Sequence, residues 1–278
     1  MHSKIEKIVK HCSTCREHKY DRHPTKLQIQ ETPIPQSPGE IVHIDIYSTE
    51  KKLILTAIDK FSKYAQVKII QSKAIEHIKD PIRELMIAFG IPKLVVIDNE
   101  KSLNSATISS LLKDHMSIDV YTIPPYSSTS NGQVERFHST LSEIMRCLKA
   151  TCLGITFEEL LFKSLQEYNS SIHSTTKNKP IALFFGNRIF TCPQQLEKQR
   201  LDNTSQLKKK QDLDRSYHNK KRSEIKDYSP GEVIYVKINK RLGSKLTPKY
   251  KKEVVSENNR TTIKTVSGRT VHKGLIKN

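Results

Sequence analysis

Three acidic residues, Asp45, Asp98 and Glu135, stand where a carboxylate can do chemistry. Asp45 lies in the β-branched run IVHIDIYST and Asp98 closes the apolar run LVVID. Glu135 falls in the first turn of a helical pattern, directly after the turn-forming stretch PPYSSTSNG. Carboxylates converging at one edge of a sheet repel one another and hold protons more tightly unless a cation neutralises them. Hard oxygen ligands select Mg2+ or Mn2+. Two such ions, about 3.5–4 Å apart, activate an attacking oxygen and stabilise the leaving one in phosphodiester displacement. Taken singly, an aspartate at a strand end is also an ordinary turn or cap residue, so both readings stand at this level. A fourth acid, Asp59, sits in the DKFSK segment between two strand-like runs and reads as a turn aspartate.

The elements around these acids follow from hydrophobic period. EIVHIDIYST reads as a strand ending near Asp45, and KKLILTAIDKFSKYAQVKII as two further strands, 52–58 and 64–70, joined by a tight turn. Three short successive strands predict an antiparallel meander. Ile75, Ile78, Ile82, Leu85, Met86 and Phe89 mark a helix, which Pro81 is expected to break or delay. Leu94–Asp98 suits a strand buried on both faces, 105–114 a second helix, and Asp119–Ile123 a fifth strand. From Gln133, the stripe Val134, Phe137, Leu141, Ile144, Met145 and Leu148 predicts an amphipathic helix capped by Ser130 or Asn131. The order strand, strand, strand, helix, strand, helix, strand, helix implies an α/β layer with a mixed sheet. His138 and His173 read as surface or packing residues.

At 278 residues the chain is long enough for two or three domains. No run of eighteen apolar residues offers a membrane span, and MHSKIEKIVKHC lacks the apolar core of a secretory signal. Five cysteines without framework spacing point to a reducing compartment. The net charge of +18 points to a polyanionic partner. It is unevenly placed: from Ser205 to Asn278, 20 Lys and Arg face 7 Asp and Glu, so these 74 residues carry +13. A basic tail on a nearly balanced body suggests that the tail holds nucleic acid while the body acts on it. Near the start, Cys12 and Cys15 stand at C-x-x-C spacing, two of the four ligands a tetrahedral Zn2+ site needs, with His11, His18 and His23 nearby. Two reduced thiols in a basic segment explain the pattern equally well.

The stretches IVHIDIYST, LVVIDNEKSLNS and PPYSSTSNGQVERFHSTL resemble the integrases of retroviruses and long-terminal-repeat retrotransposons, the Gypsy group of insect elements above all. Thirty-six residues separate Asp98 from Glu135, one more than is usual in that family. Tyr168–Gly186 and the tail YSPGEVIYVKINKRLGSKLTPKY are similar as well. The resemblance implies an α/β fold: a ribonuclease H-like core, a mixed five-stranded sheet flanked by helices, with a small SH3-like all-β C-terminal domain. It implies Asp45, Asp98 and Glu135 as ligands of Mg2+ or Mn2+. It implies trimming of the 3′ ends of double-stranded DNA and attack of the freed hydroxyls on target DNA by a homo-oligomer in the nucleus. Asn131, Gln133 and Arg136 then become DNA-end contacts. The expected divisions are 1–37, a truncated zinc-binding segment and linker; 38–192, the catalytic core; 193–227, a basic helical linker; and 228–278, the DNA-binding barrel.

Departures from the family are visible too. Ahead of the adjacent His11-Cys12 stands only His2 where the family has a His-His pair, so Zn2+ binding by Cys12 and Cys15 is incomplete within this chain. Asn99-Glu100 replaces a glycine common after the second aspartate, and Ser139 replaces a lysine one turn beyond Glu135, leaving DNA contact to Arg136, Arg146 or Lys149. In the charged linker, Lys208, Lys209 and Lys210 and then Lys220, Lys221 and Arg222 form two basic blocks that suit nuclear import or DNA equally. In the tail, alternation through Val233, Tyr235 and Ile238 predicts a strand, with two more around Ser267-Gly268, and Lys240, Arg241 and Lys245 are placed against phosphates. Two alternatives to a working integrase are an integrase-derived DNA-binding protein without catalysis and a nuclease acting on RNA–DNA hybrids.

Overall fold

The computed structural model describes residues 12–19, 28, 31–123, 132–152, 154–186, 193–220, 222–238 and 247–277. They fall into two compact units. One is built from 32–213 and the other from the described residues of 12–31 and 214–277. Among them, no helix is long and apolar enough to cross a membrane.

The larger unit is a five-stranded mixed sheet in the order β3-β2-β1-β4-β5. Strands β1 (Ile41–Thr49), β2 (Lys52–Asp59) and β3 (Ala65–Ile70) form the expected antiparallel meander. β4 (Leu94–Ile97) and β5 (Asp119–Thr122) add in parallel. Side chains alternate across the sheet. Val42, Ile44, Ile46, Leu55 and Ala57 face α2 (Ile75–Ala88) and α3 (Ala106–Ser110, continued by a wider turn to His115). Ile54, Ile58 and Ala65 face α4 (Gly132–Thr151) and α5 (Phe157–Ser170). The α4 stripe Val134, Phe137, Leu141 and Met145 is buried as its spacing predicts. After α6 (Pro180–Phe185), helix α7 (Pro193–Asn219) docks part of its length on this body. Leu207 packs with Phe61 and Leu183, and the buried Asn203 donates to Phe61 O at 3.1 Å.

Two sequence expectations are corrected. β1 does not end near Asp45. It pairs with β2 as far as Thr49↔Lys52, while its parallel pairing with β4 stops at Ile44↔Ile97. Asp45 therefore sits mid-strand, just beyond the place where β1 and β4 part. Nor does Pro81 break α2, which runs through it as the seventh helical residue. Proline inside a helix costs about 3 kcal/mol. Burial of Ile78, Ile82, Leu85 and Met86, each contributing about 1.5–3 kcal/mol, outweighs that.

The smaller unit is a four-stranded antiparallel sheet, β6 (Val233–Lys237), β7 (Tyr250–Asn258), β8 (Thr262–Thr265) and β9 (Thr270–His272). It curls at a bulge between Val255 and Glu257, and a bridge from Val236 to Ile276 ties its last turn to the first strand. Its core is Tyr228, Ile234, Val236, Val255, Ile263, Val271 and Ile276. The expected alternation from Val233 is not seen: Val233 is exposed, and Ile234, Tyr235 and Val236 are all buried. Tyr235 is covered from the opposite side by Arg16 of the short helix α1 (Ser13–His18), whose guanidinium lies 4.4 Å from the ring centre. Lys277 Nζ donates to Cys15 O, Arg16 O and Lys19 O at 3.1, 3.0 and 2.7 Å, capping the end of α1.

Candidate active site

Asp45 and Asp98 are the next residues after the last parallel pair, Ile44↔Ile97, on strands that run about 4.8 Å apart. The opening between β1 and β4 sets them side by side. By the two-residue period Asp45 points to the α4 face, along with Tyr47. Its Oδ1 accepts from Ile46 N at 2.8 Å, and Asp98 Oδ1 accepts from Asn99 N at 2.7 Å. Burial pushes the Asp45 carboxyl up to about 6, and the carboxylates of Asp98 and Glu100 push the same way. The Ile46 N–H and the Lys73 ammonium oppose that shift. Glu100 is ion-paired with Lys73.

Glu135 is exposed in the first turn of α4. One turn on, His138 lies against the aspartate site. Its Nδ1 is 3.9 Å from Asp45 Oδ2, its Nε2 is 2.8 Å from Thr56 Oγ1, and its ring stacks on Tyr47 at 4.5 Å. Thr56, opposite Asp45 in the β1–β2 register, donates to Asp45 O at 3.0 Å. Burial pulls the imidazole down to about 4, so it is neutral at pH 7. His138 is thus no surface residue: it backs Asp45. Its position beside Val134, Phe137 and Leu141 on the inner helix stripe was the signal that could have marked it. Asp45 and Asp98 are neighbours, and the third acid stands one turn before a histidine that lies against Asp45. Among the described residues, no three His, Cys, Asp or Glu side chains converge closely enough to hold an ion together.

The remaining candidates separate. Gln133 is engaged at both ends, accepting from Lys63 Nζ at 2.9 Å and donating to Asp59 O at 3.2 Å. Asp59 is a buried turn aspartate, as expected, whose carboxylate accepts from Ser62 N at 2.7 Å and Gly39 N at 3.1 Å. Arg136, Lys208, Lys209 and Lys210 are exposed. Lys149 pairs with Glu50 at 2.7 Å, and Arg222 Nε donates to His218 O at 3.1 Å. Lys220 is exposed. Asn131, Lys221, Lys240, Arg241 and Lys245 lie outside the described residues, as do His2, His11 and His23. Cys12 and Cys15 are free thiols at the start of α1, where hydrogen bonds from the Cys15 backbone and side chain hold the Cys12 thiol below its ordinary range. His18 ends the same helix, exposed.

No family model matches the chain. It is 42% identical over 277 residues to the retrovirus-related Pol polyprotein from transposon gypsy of Drosophila melanogaster, a match covering 100% of this chain and 26% of that one. It is 40% identical over 282 residues to the Pol polyprotein from transposon opus of the same organism, covering 100% and 28%. The chain thus spans about a quarter of the length of these relatives. In structure it is similar to a chain of the simian T-cell lymphotropic virus intasome, solved in complex with the PP2A regulatory subunit B56 gamma. That match has a TM-score of 0.65 at 16% identity and covers 100% of this chain and 90% of that one. The five-stranded sheet with its helices accordingly has the ribonuclease H-like fold, and the four-stranded sheet fits an SH3-like domain. The chain belongs to the Pol sequences of gypsy-type retrotransposons, as a segment with the fold of a retroviral integrase.

Proposed function

We propose that the chain is an integrase-type polynucleotidyl transferase that trims the 3′ ends of double-stranded DNA and joins the freed hydroxyls to target DNA. The observation that carries this reading is that Asp45 and Asp98 both follow the last β1–β4 pair, Ile44↔Ile97, on the sheet that packs against the helix bearing Glu135. The donor set fits a divalent cation. Asp45 is driven toward protonation by burial and by neighbouring carboxylates, an excess of negative charge that Mg2+ or Mn2+ would relieve. Asp45, Asp98 and Glu135 are the residues that would hold it, and when bound it supplies Lewis acidity at the scissile phosphodiester. His138, neutral and stacked on Tyr47, keeps Asp45 oriented. Arg136, exposed one residue after Glu135, is placed to take a DNA phosphate. Lys208, Lys209 and Lys210 extend the phosphate contact without reading bases. Division of the chain at 37, 192 and 227, assembly as a homo-oligomer, and residence in the nucleus belong to the same proposal. A Zn2+ site at Cys12 and Cys15 would need further ligands, which are not found among the described residues, and His2, His11 and His23 lie outside them.

One observation favours a second reading, a DNA-binding protein without catalysis: the described acids gather as two and not three. A single assay separates the two. Purified protein is given duplexes with free ends and Mg2+ or Mn2+, and end trimming and joining are followed. The enzyme reading expects activity that falls at least about 10³-fold in Asp98→Asn, the scale of several kcal/mol of lost charge stabilisation. Wild-type protein that binds duplexes yet neither trims nor joins them with either metal overturns it.

A further inference from the structure

Helix α4 is fastened to β2 and its turn at two points that bracket Glu135. One is His138, through Thr56. The other is Gln133, held by a lysine with no place in the chemistry above. Lys63 is 8% exposed and sits at φ 68, a left-handed conformation unusual for a residue with a side chain. Its Nζ donates to Lys60 O at 2.7 Å and to Gln133 Oε1 at 2.9 Å, while Gln133 Nε2 donates to Asp59 O at 3.2 Å. The turn that presents Lys63 is itself secured by the buried Asp59 carboxylate on Ser62 N and Gly39 N. Burying an ammonium and straining its backbone are both unfavourable. That combination persists only where surrounding contacts impose it, and here the ammonium is directed at the first turn of α4.

We propose that Lys63 is a positioning residue for Glu135: through Gln133 it locks the start of α4, and with it the third carboxylate, one turn before the histidine that contacts Asp45. This rests on the integrase reading for its consequence but not for its geometry. A misplacement of about 1 Å in a catalytic group can cost about 10²-fold in rate.

The test uses the whole chain with Lys63→Met, which keeps the stem and removes the donors, and Gln133→Met, which removes the receiving amide. Amide hydrogen exchange at residues 134–138 is expected to quicken at least about 10-fold in both, with β1 and β4 unchanged. The double variant should be no worse than the poorer single one, because both break one link. In joining assays the turnover should fall about 10–100-fold with the DNA concentration for half-maximal rate unchanged. Lys63→Arg should recover part of it. Unchanged exchange at 134–138 in Lys63→Met overturns the proposal, as does additivity of the two variants. If wild type joins no DNA, the integrase reading fails while the exchange data still decide the lock.

Discussion

Burial has moved several side chains that pack near α4, Asp45, Lys63, His138 and His173 among them. His173 is the simplest case. Its Nδ1 accepts from Thr175 N at 3.2 Å, and its ring meets Tyr168 edge-on at 6.5 Å. Burial pulls it down to about 4, and the charges of Lys63 and Arg136 add to that. Its folded value lies below its unfolded value of about 6.5, so the unfolded chain binds more protons between the two. Stability from this residue is therefore full above about pH 6.5 and is lost as pH falls toward 4. Between pH 6.5 and 5 the loss should be about 1–2 kcal/mol, allowing for partial water contact. Urea unfolding of wild type and His173→Gln across that range checks it: the variant's curve should be flatter. His138 and Lys63 show why such residues are hard to read beforehand. The sequence leaves His138 readable as a surface or a packing residue, and DKFSK reads only as a tight turn. Only the strand and turn folded against them, distant in sequence, make them interior.

Among elements, those with a strong period were legible. The alternation in β1 to β3 and the stripe of α4 come from residues whose burial is set by their own strand or helix. Boundaries decided by partners were not. β1 runs on past Asp45 because β2 stays paired with it to Thr49, which no local feature of IVHIDIYST announces. Pro81 reads as a breaker because local backbone preference was weighed without the four buried side chains that hold α2 together. On that account the proline is a residual cost. Pro81→Ala restores a donor within reach of His77 O and should stabilise the chain by about 1–3 kcal/mol. A higher urea midpoint with an unchanged slope would show it, and an unchanged or lower midpoint would mean the helix depends on the proline.

For the molecule as a whole, charge is the feature that the sequence displayed most openly and that needed least structure. With +13 in the last 74 residues, duplex binding should be dominated by displaced counterions. Affinity should fall about 10³-fold or more between 50 and 200 mM salt if six or more phosphates are met. Alanine at Lys208 and at Lys209 should each lower the log–log salt slope by about 1, independent of DNA sequence. Fluorescence anisotropy at several salt concentrations would measure both, and slopes untouched by the alanines would remove α7 from the DNA path. Which carboxylates the fold brings together was the part least open to inspection of the residues alone. It depends on where strands part and how a helix start is secured, and spacing along the chain encodes neither.

The grip of Lys277 on α1 makes the beginning and the end of the smaller unit one object. A clip of two residues at the carboxyl end would be felt as loosening of the cysteine-bearing helix more than 250 positions earlier in the chain. Fusing a tag at either end would load both.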